Sequence, residues 1–353
     1  MKRATLAPTL WCLAAATLFG ASTPLSKSLL NSLGPFSLAA LLYLGAAAAM
    51  LPFARGGGSR ERRRQRANLS RLAGAVVAGG VLGPVLLLLG LMQTSAASVS
   101  LWLNLETAAT AVFAAAFFRE HLGRETWWAV ALVCTASVLL VWPAGLGTAS
   151  AAVLVALACI CWAVDNNLTA LIDGFTPAQS TLVKGVVAGA FNLTIGICFE
   201  RNVWLASSVA TALLAGALCY GLSLVLHIAG SQHLGAARAQ TIFGTAPFWG
   251  VGLSWVLLSE PWSLEQGLAG ALMLGALWLM RNEQHGHAHA HRTVVHTHPH
   301  RHDDGHHEHR HGEGPAAQWH THDHAHDAEA HEHGHIPNLH HRHEHWPSAA
   351  PRV

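Results

Sequence analysis

The sequence predicts an all-α membrane protein: ten transmembrane helices in two inverted five-helix repeats, followed by a disordered His-rich tail. Three observations carry this. Charge is scarce, at 11% of 353 residues, against about 25% in soluble domains, and mean hydropathy is +0.33. Apolar runs of spanning length recur along the chain. The composition then changes abruptly near Arg281-Asn282-Glu283: His121, His227 and His233 lie before it, and the other 23 of the 26 histidines lie after it.

A helical span needs about 20 apolar residues. Ten stretches qualify: about 7–29, 34–53, 70–91, 96–118, 127–145, 151–171, 177–199, 204–227, 235–258 and 263–281. The first begins with "MKR" like a signal peptide. It is too long for such a segment and lacks a clear cleavage site, so it reads as a retained span. Gly185 and Gly189 have the GxxxG spacing that lets helices approach closely in lipid. The six cysteines all sit in apolar runs without a CxxC pattern and read as small buried residues.

Arginine sets the orientation. The loop after the second span, "RGGGSRERRRQRANLSR", carries seven arginines, and "REHLGRE" after the fourth adds two. The positive-inside rule puts both termini in the cytoplasm. These clusters and a net charge of +2 read as topology signals and not as a nucleic-acid surface. The expected location is a bacterial plasma (inner) membrane, multi-pass, in contact with lipid.

The chain repeats itself. "FFREHLGRETW" (117–127) aligns with "LLSEPWSLEQG" (257–267), in a register that lays Glu120 on Glu260 and Glu125 on Glu265. "FGASTPL" (19–25) aligns with "WAVDNNL" (162–168) at a slightly larger offset, and Pro35 and Pro177 each open the second span of a half. Five spans per half is an odd number, so the second copy enters the membrane upside down, a transporter layout with its substrate path between the halves. The expected domains are 1–148, 149–282 and a cytoplasmic tail, 283–353.

Across residues 5–282 the chain resembles the drug/metabolite transporter superfamily, EamA type. The resemblance is carried by "LFGASTPLSK", "NLETAATAVFAAAFFRE", "CWAVDNNLTALI", "KGVVAGAFN" and "LGAARAQTIFGTAPFWGVGLSWVLLSEPWS", in that order. Family members often have a proline after the intramembrane position of the fourth span; here Thr107 follows Glu106, while Pro247 keeps the proline in the second half. The resemblance implies a secondary carrier, often a metabolite exporter, with no substrate named.

A charge at the bilayer centre costs about 2.5–3.5 kcal/mol on insertion scales, so ionisable residues inside spans need a reason. Glu106 lies mid-span and reads either as a proton- or substrate-binding carboxylate or as an interhelical hydrogen-bonding group. Asn104, two residues earlier, points to a different face. Asp165 and Lys184 read as substrate contacts or as a mutually neutralising ion pair; Asn166 and Asn167 read as solute ligands or interhelical glue. Together these six form the candidate transport path. His227 and His233 read as ordinary interface histidines. There is no GxxxxGK[ST] loop and no catalytic constellation, so the protein is not expected to be an enzyme or to need a cofactor, and a gradient must drive it.

The tail has no apolar periodicity, and Pro299, Pro315, Pro337 and Pro347 interrupt it. It is a tandem duplication. One register lays His296, His298, His300, His302, His307, His309 and His311 on His320, His322, His324, His326, His331, His333 and His335, and lays Asp303 on Asp327 and Glu308 on Glu332. Imidazole suits Zn, Ni and Cu, and a flexible chain would offer several exchangeable sites, with Zn, Ni or Co as the expected ions.

Two functions follow. One is a secondary exporter of a small-molecule metabolite with a metal-binding tail. The other is a Zn/Ni/Co transporter that captures metal with the tail. The membrane region lacks a dense His/Asp/Cys ligand set, which favours the first. The oligomeric state is open, with a homodimer as the option to test.

Overall fold

The computed structural model describes residues 6–54, 66–118, 124–141, 145–172, 175–234, 236–282, 285–290, 294–300, 320–326 and 330–335. Two compact units result, Met1–Glu283 and Gln284–Val353.

The first unit is helical. α1 spans Leu6–Leu29 and α2 spans Pro35–Met50. α3 is built from Arg66–Ala75, a π-helical stretch Val76–Leu82, and Gly83–Gln93. α4 is broken into Ala96–Trp102 and Asn104–Phe118. α5 is Arg124–Val141, α6 Gly145–Ala170 and α7 Pro177–Phe199. α8 again has three parts, Ala206–Ala215, the π-helical Gly216–Leu222 and Ser223–Leu234. α9 is broken into Ala236–Phe243 and Ala246–Leu257, and α10 is Leu264–Asn282. These match the ten expected spans to within seven residues at every end.

The duplication extends to the irregularities. The π-helical stretches begin at Val76 and Gly216, and the broken helices begin at Ala96 and Ala236. Both pairs have the same offset, the one that lays Glu120 on Glu260 in the sequence. α4 breaks at Leu103 although no proline is there, whereas the break in α9 lies just before Pro247. The missing proline therefore does not straighten the fourth span.

Helix starts follow local chemistry. Thr176 caps α7 reciprocally with Gln179, and Pro177 occupies the first turn, where its missing N–H costs nothing. Ser95 caps α4 by accepting from the Ser98 amide.

Six described segments are long and apolar enough to cross a membrane, among them Leu6–Leu29, Asn68–Leu91 and Pro177–Phe199; Pro35–Met50, Thr241–Leu257 and Leu264–Leu279 are shorter apolar helices. Together they make this an integral, multi-pass membrane protein. Large apolar side chains such as Phe199, Val256 and Trp278 lie on the outside, as lipid contact requires. The interior is packed with Leu38, Leu88, Leu91, Val99, Trp102 and Val155. At Gly185 a Cβ would lie 2.7 Å from both the Tyr43 carbonyl oxygen and Ala47 Cβ, and at Gly189 it would lie 2.8 Å from Leu44 Cγ. The GxxxG pair thus seats α7 directly on α2.

The cysteine reading needs a correction. Cys12, Cys159 and Cys219 are buried, but Cys134 and Cys198 are exposed. An apolar run around a helix has an outward face in lipid, so a hydrophobic sequence context does not imply burial here.

In the tail, the described residues form strands β1 (His285–Ala290), β2 (Val294–His300), β3 (His320–His326) and β4 (Ala330–His335). β1 pairs with β4 and β2 with β3, both antiparallel. A tail without an apolar face is expected to lack regular structure, yet these pieces are paired. The alternating HxH pattern has the period of a strand, and strand pairing satisfies the backbone without a core. His302, His307, His309 and His311 lie outside the described residues, as do Glu120 and most of the seven-arginine loop.

Candidate functional site

The break at Leu103 puts Glu106 in the first turn of the second α4 segment. α6, from the other half, runs beside it. Asn166 on α6 donates through Nδ2 to Glu106 Oε1 at 2.9 Å and lies 3.4 Å from Thr110 Oγ1. The Asn167 carboxamide donates to the Ala163 carbonyl at 2.8 Å and reaches the Thr110 carbonyl at 3.4 Å. Glu106 is half-buried and Asn166 is exposed. A lone carboxylate and carboxamide at mid-span would be costly against hydrocarbon, and the hydrogen bond between α4 and α6 partners them.

A second polar knot lies one residue back on α6. Lys184 Nζ is 2.9 Å from each oxygen of the Asp165 carboxylate, and Thr169 Oγ1 donates to Asp165 Oδ1 at 2.8 Å. The pair is nearly closed off, with side-chain exposures of 18% and 8%. Asp165 is therefore neutralised and fully engaged, while Glu106 receives a single neutral amide. The two carboxylates occupy different environments although both sit inside spans.

The π-helical stretch of α3 feeds this region. A π-turn leaves a carbonyl without its usual helical partner. The Gly79 carbonyl accepts from Tyr43 OH on α2 at 2.5 Å and from Trp162 Nε1 on α6 at 3.0 Å. Asn192 Nδ2 on α7 reaches the Gly80 carbonyl at 3.3 Å. Gly79 must be glycine, because a Cβ there would collide with the Asp165 carboxylate. The matching stretch of α8 supplies Tyr220, whose ring lies 6.5 Å from that of Tyr43 and 5.7 Å from that of Phe19. An aromatic wall continues through Phe243, 5.3 Å from Phe19, to His227, 4.6 Å from Phe243. His233 packs edge-on to Trp11 at 5.7 Å.

Ten helices, irregularities paired at one common offset and polar contacts between the halves describe a carrier built by duplication. The EamA-like transporter family matches residues 6–142 and again residues 149–282. The chain belongs to the EamA-like transporter family. It is a transporter and not an enzyme. An uncharacterized transporter of Methanothermobacter thermautotrophicus is 26% identical over 286 residues, covering 74% of this chain and 82% of that protein. A solved crystal structure shares the fold, with a TM-score of 0.56 at 19% identity, over 77% of this chain and 96% of that one.

Of the six path residues picked from the sequence, the structure of this transporter brings Glu106 and Asn166 together, joins Asp165 to Lys184, and sets Asn167 beside Thr110. Asn104 stands apart: its Nδ2 donates to the Leu101 carbonyl at 2.9 Å and meets Met273 Sδ at 3.4 Å, which closes the helix break. Among the described residues, no group of three or more His, Cys, Asp or Glu side chains is placed to hold a metal ion. Sequence reasoning missed Tyr43, Trp162, Thr110 and Tyr220. One signal was available: the chain has only two tyrosines, and both fall inside apolar spans.

Proposed function

We propose that this protein is a gradient-driven carrier that exports a small polar metabolite across a bacterial plasma membrane, with both termini in the cytoplasm. The carrying observation is the Glu106–Asn166 hydrogen bond beside a helix break, a half-buried carboxylate and an exposed carboxamide, with one member from each half. Half-to-half contacts near mid-span are where an inverted-repeat carrier holds its cargo. Glu106 is the candidate for binding substrate or a coupling proton, because Asp165 is already paired with Lys184. Asn166, Asn167 and Thr110 offer uncharged hydrogen bonds, and Tyr43, Tyr220 and Phe19 offer an aromatic flank. The exporting direction follows the family resemblance, and the absence of a nucleotide-binding motif in the sequence supports gradient coupling.

The tail is read as a cytoplasmic metal-binding accessory that takes Zn, Ni or Co through histidines of the two duplicated modules. Transport of the metal itself has no specific observation behind it in the membrane region.

The test is metabolite efflux from cells, and counterflow in vesicles, for the unaltered protein and for Glu106→Gln. The variant removes a charge from the bilayer, so membrane abundance should stay near normal while transport is lost. Full transport by Glu106→Gln would reduce Glu106 to a packing residue and sink this reading.

A further inference from the structure

We propose that the first segment of α4, Ala96–Trp102, is a gate over Glu106 on the membrane face opposite the tail, latched shut by Glu260 and hinged at Leu103. This rests on the transport reading and deepens it by naming the element that closes one side of the carrier.

The latch grips the turn between α3 and α4. On one side of the turn, Lys27 Nζ donates to the Leu91 and Thr94 carbonyls at 2.6 and 2.9 Å and fixes the end of α3. On the other side, the Glu260 carboxylate accepts from the Ala96 and Ala97 amides at 2.7 and 2.9 Å. Gln266 Nε2 lies 3.4 Å from Ser95 Oγ and 3.3 Å from Ser98 Oγ. Lys27 belongs to the same half as the turn, whereas Glu260 and Gln266 belong to the other. A movement of one half against the other therefore leaves the α3 end in place and pulls on the bonds to α4. The whole of α10 separates Glu260 from the tail, which puts the latch on the opposite face.

The segment is built to move as a unit. It ends at Leu103, where Asn104 Nδ2 donates to the Leu101 carbonyl at 2.9 Å. A side chain that supplies a bond to the freed backbone lets a membrane helix bend without a naked carbonyl. Displacement about such a hinge is greatest at Ala96 and least at Trp102. The side chains follow that gradient: Ala96, Ala97 and Ser98 are small, and the bulky Leu101 and Trp102 sit beside the pivot. All seven residues of the segment are buried, and Glu106 follows in the first turn beyond the break.

The closed arrangement is under tension. Ser259, just before Glu260, has a φ of 54°, in the left-handed region that no other non-glycine among the described residues adopts. Strain of this kind gathers in segments that switch. The buried Ser100 hydroxyl has no hydrogen-bond partner, which is unfavourable in an apolar interior. Release of Glu260 relaxes the first and admits water to the second. Glu260 itself is half-buried, so water can take over its bonds as it lets go.

The test is labelling of Ser100→Cys by a membrane-impermeant maleimide, read by mass spectrometry at position 100. It uses vesicles whose tail is protected from added protease, so the reagent meets the opposite face. Rates are compared for Ser100→Cys alone and combined with Glu260→Gln, Gln266→Ala or Glu200→Gln. Glu260→Gln should speed labelling at least about tenfold, as the loss of a charge-assisted hydrogen bond from the closed state predicts. Gln266→Ala should speed it less, and it carries the test if Glu260→Gln fails to reach the membrane. Glu200 caps α2, which has no break, so Glu200→Gln should leave the rate unchanged. No gain with either latch variant overturns the gate. An equal gain with Glu200→Gln overturns it too, because general loosening then accounts for the labelling. The readout is independent of cargo, so a failed gate shows in labelling and a failed Glu106 reading shows in efflux.

Discussion

Glu200 and Glu260 do the same work at two places. The Glu200 carboxylate accepts from the amides of Phe36 and Ser37 at 2.8 and 2.9 Å, and the Glu260 carboxylate accepts from those of Ala96 and Ala97 at 2.7 and 2.9 Å. Each lies in a connection of the second half and caps the start of a first-half helix. A carboxylate there satisfies free N–H groups and matches the helix dipole. Glu260→Gln and Glu200→Gln should each lower stability by about 2 kcal/mol, since a bidentate charged acceptor becomes a single neutral one. Glu265→Gln, a half-buried residue in the first turn of α10 itself, is the control and should change less. Thermal unfolding in detergent reads all three, and equal melting of Glu260→Gln and the unaltered protein would remove the capping role.

Asp165 and Lys184 should behave as one unit. Neutralising either alone strands the other charge inside the helix bundle, at a cost of about 3–5 kcal/mol. Asp165→Asn and Lys184→Met should each express poorly, and the double variant should recover membrane abundance. Quantitative immunoblotting of membranes measures this. No recovery in the double variant would mean that the charges act separately, for instance on a substrate.

Gly79 and Gly252 give a matched pair of substitutions. A Cβ at Gly79 would strike the Asp165 carboxylate, whereas nothing lies within 4 Å of a Cβ at Gly252. Gly79→Ala should cost about 1–3 kcal/mol by overpacking, while Gly252→Ala should be neutral or gain up to about 1 kcal/mol from helix propensity. The same melting assay applies, and an order opposite to this would refute the close packing at Gly79.

Orientation is testable with reporter fusions. Fusions after residue 282 and within the 55–65 loop should report cytoplasm, and a fusion at 142–144 should report the opposite side. A tail on the outer side would overturn the arginine-based topology.

Apolar runs made the ten spans legible, because each needs only length and the absence of charge. The internal duplication was legible from a few aligned residues, Glu120 with Glu260 and Pro35 with Pro177. The π-helical stretches were not, since Val76–Leu82 and Gly216–Leu222 are ordinary Gly-, Leu- and Val-containing sequence and only backbone hydrogen bonding distinguishes them. The break at Leu103 lacked its proline signal. Glu106 and Asn166 stood out as polar residues in greasy surroundings, but their pairing joins residues far apart in the chain and needed the packing of α4 on α6. Asn104 carries the same signal, and its carboxamide donates to the Leu101 carbonyl at the helix break. The tail's strand period was visible in HxH spacing, whereas the pairing of one module with the other was not.

The Gly79 carbonyl, shared by Tyr43 and Trp162, has a mechanical consequence. Through Tyr43 it holds α2, through Trp162 it holds α6, and the Asp165–Lys184 and Asn192–Gly80 contacts bring in α7. Sliding any of these four helices against α3 or α6 breaks polar bonds in a medium that offers no water to replace them. Displacing one of them therefore costs bonds to the others. α6 belongs to this knot and also carries Asn166, so the amide that touches Glu106 is anchored to the same framework as the Gly79 carbonyl.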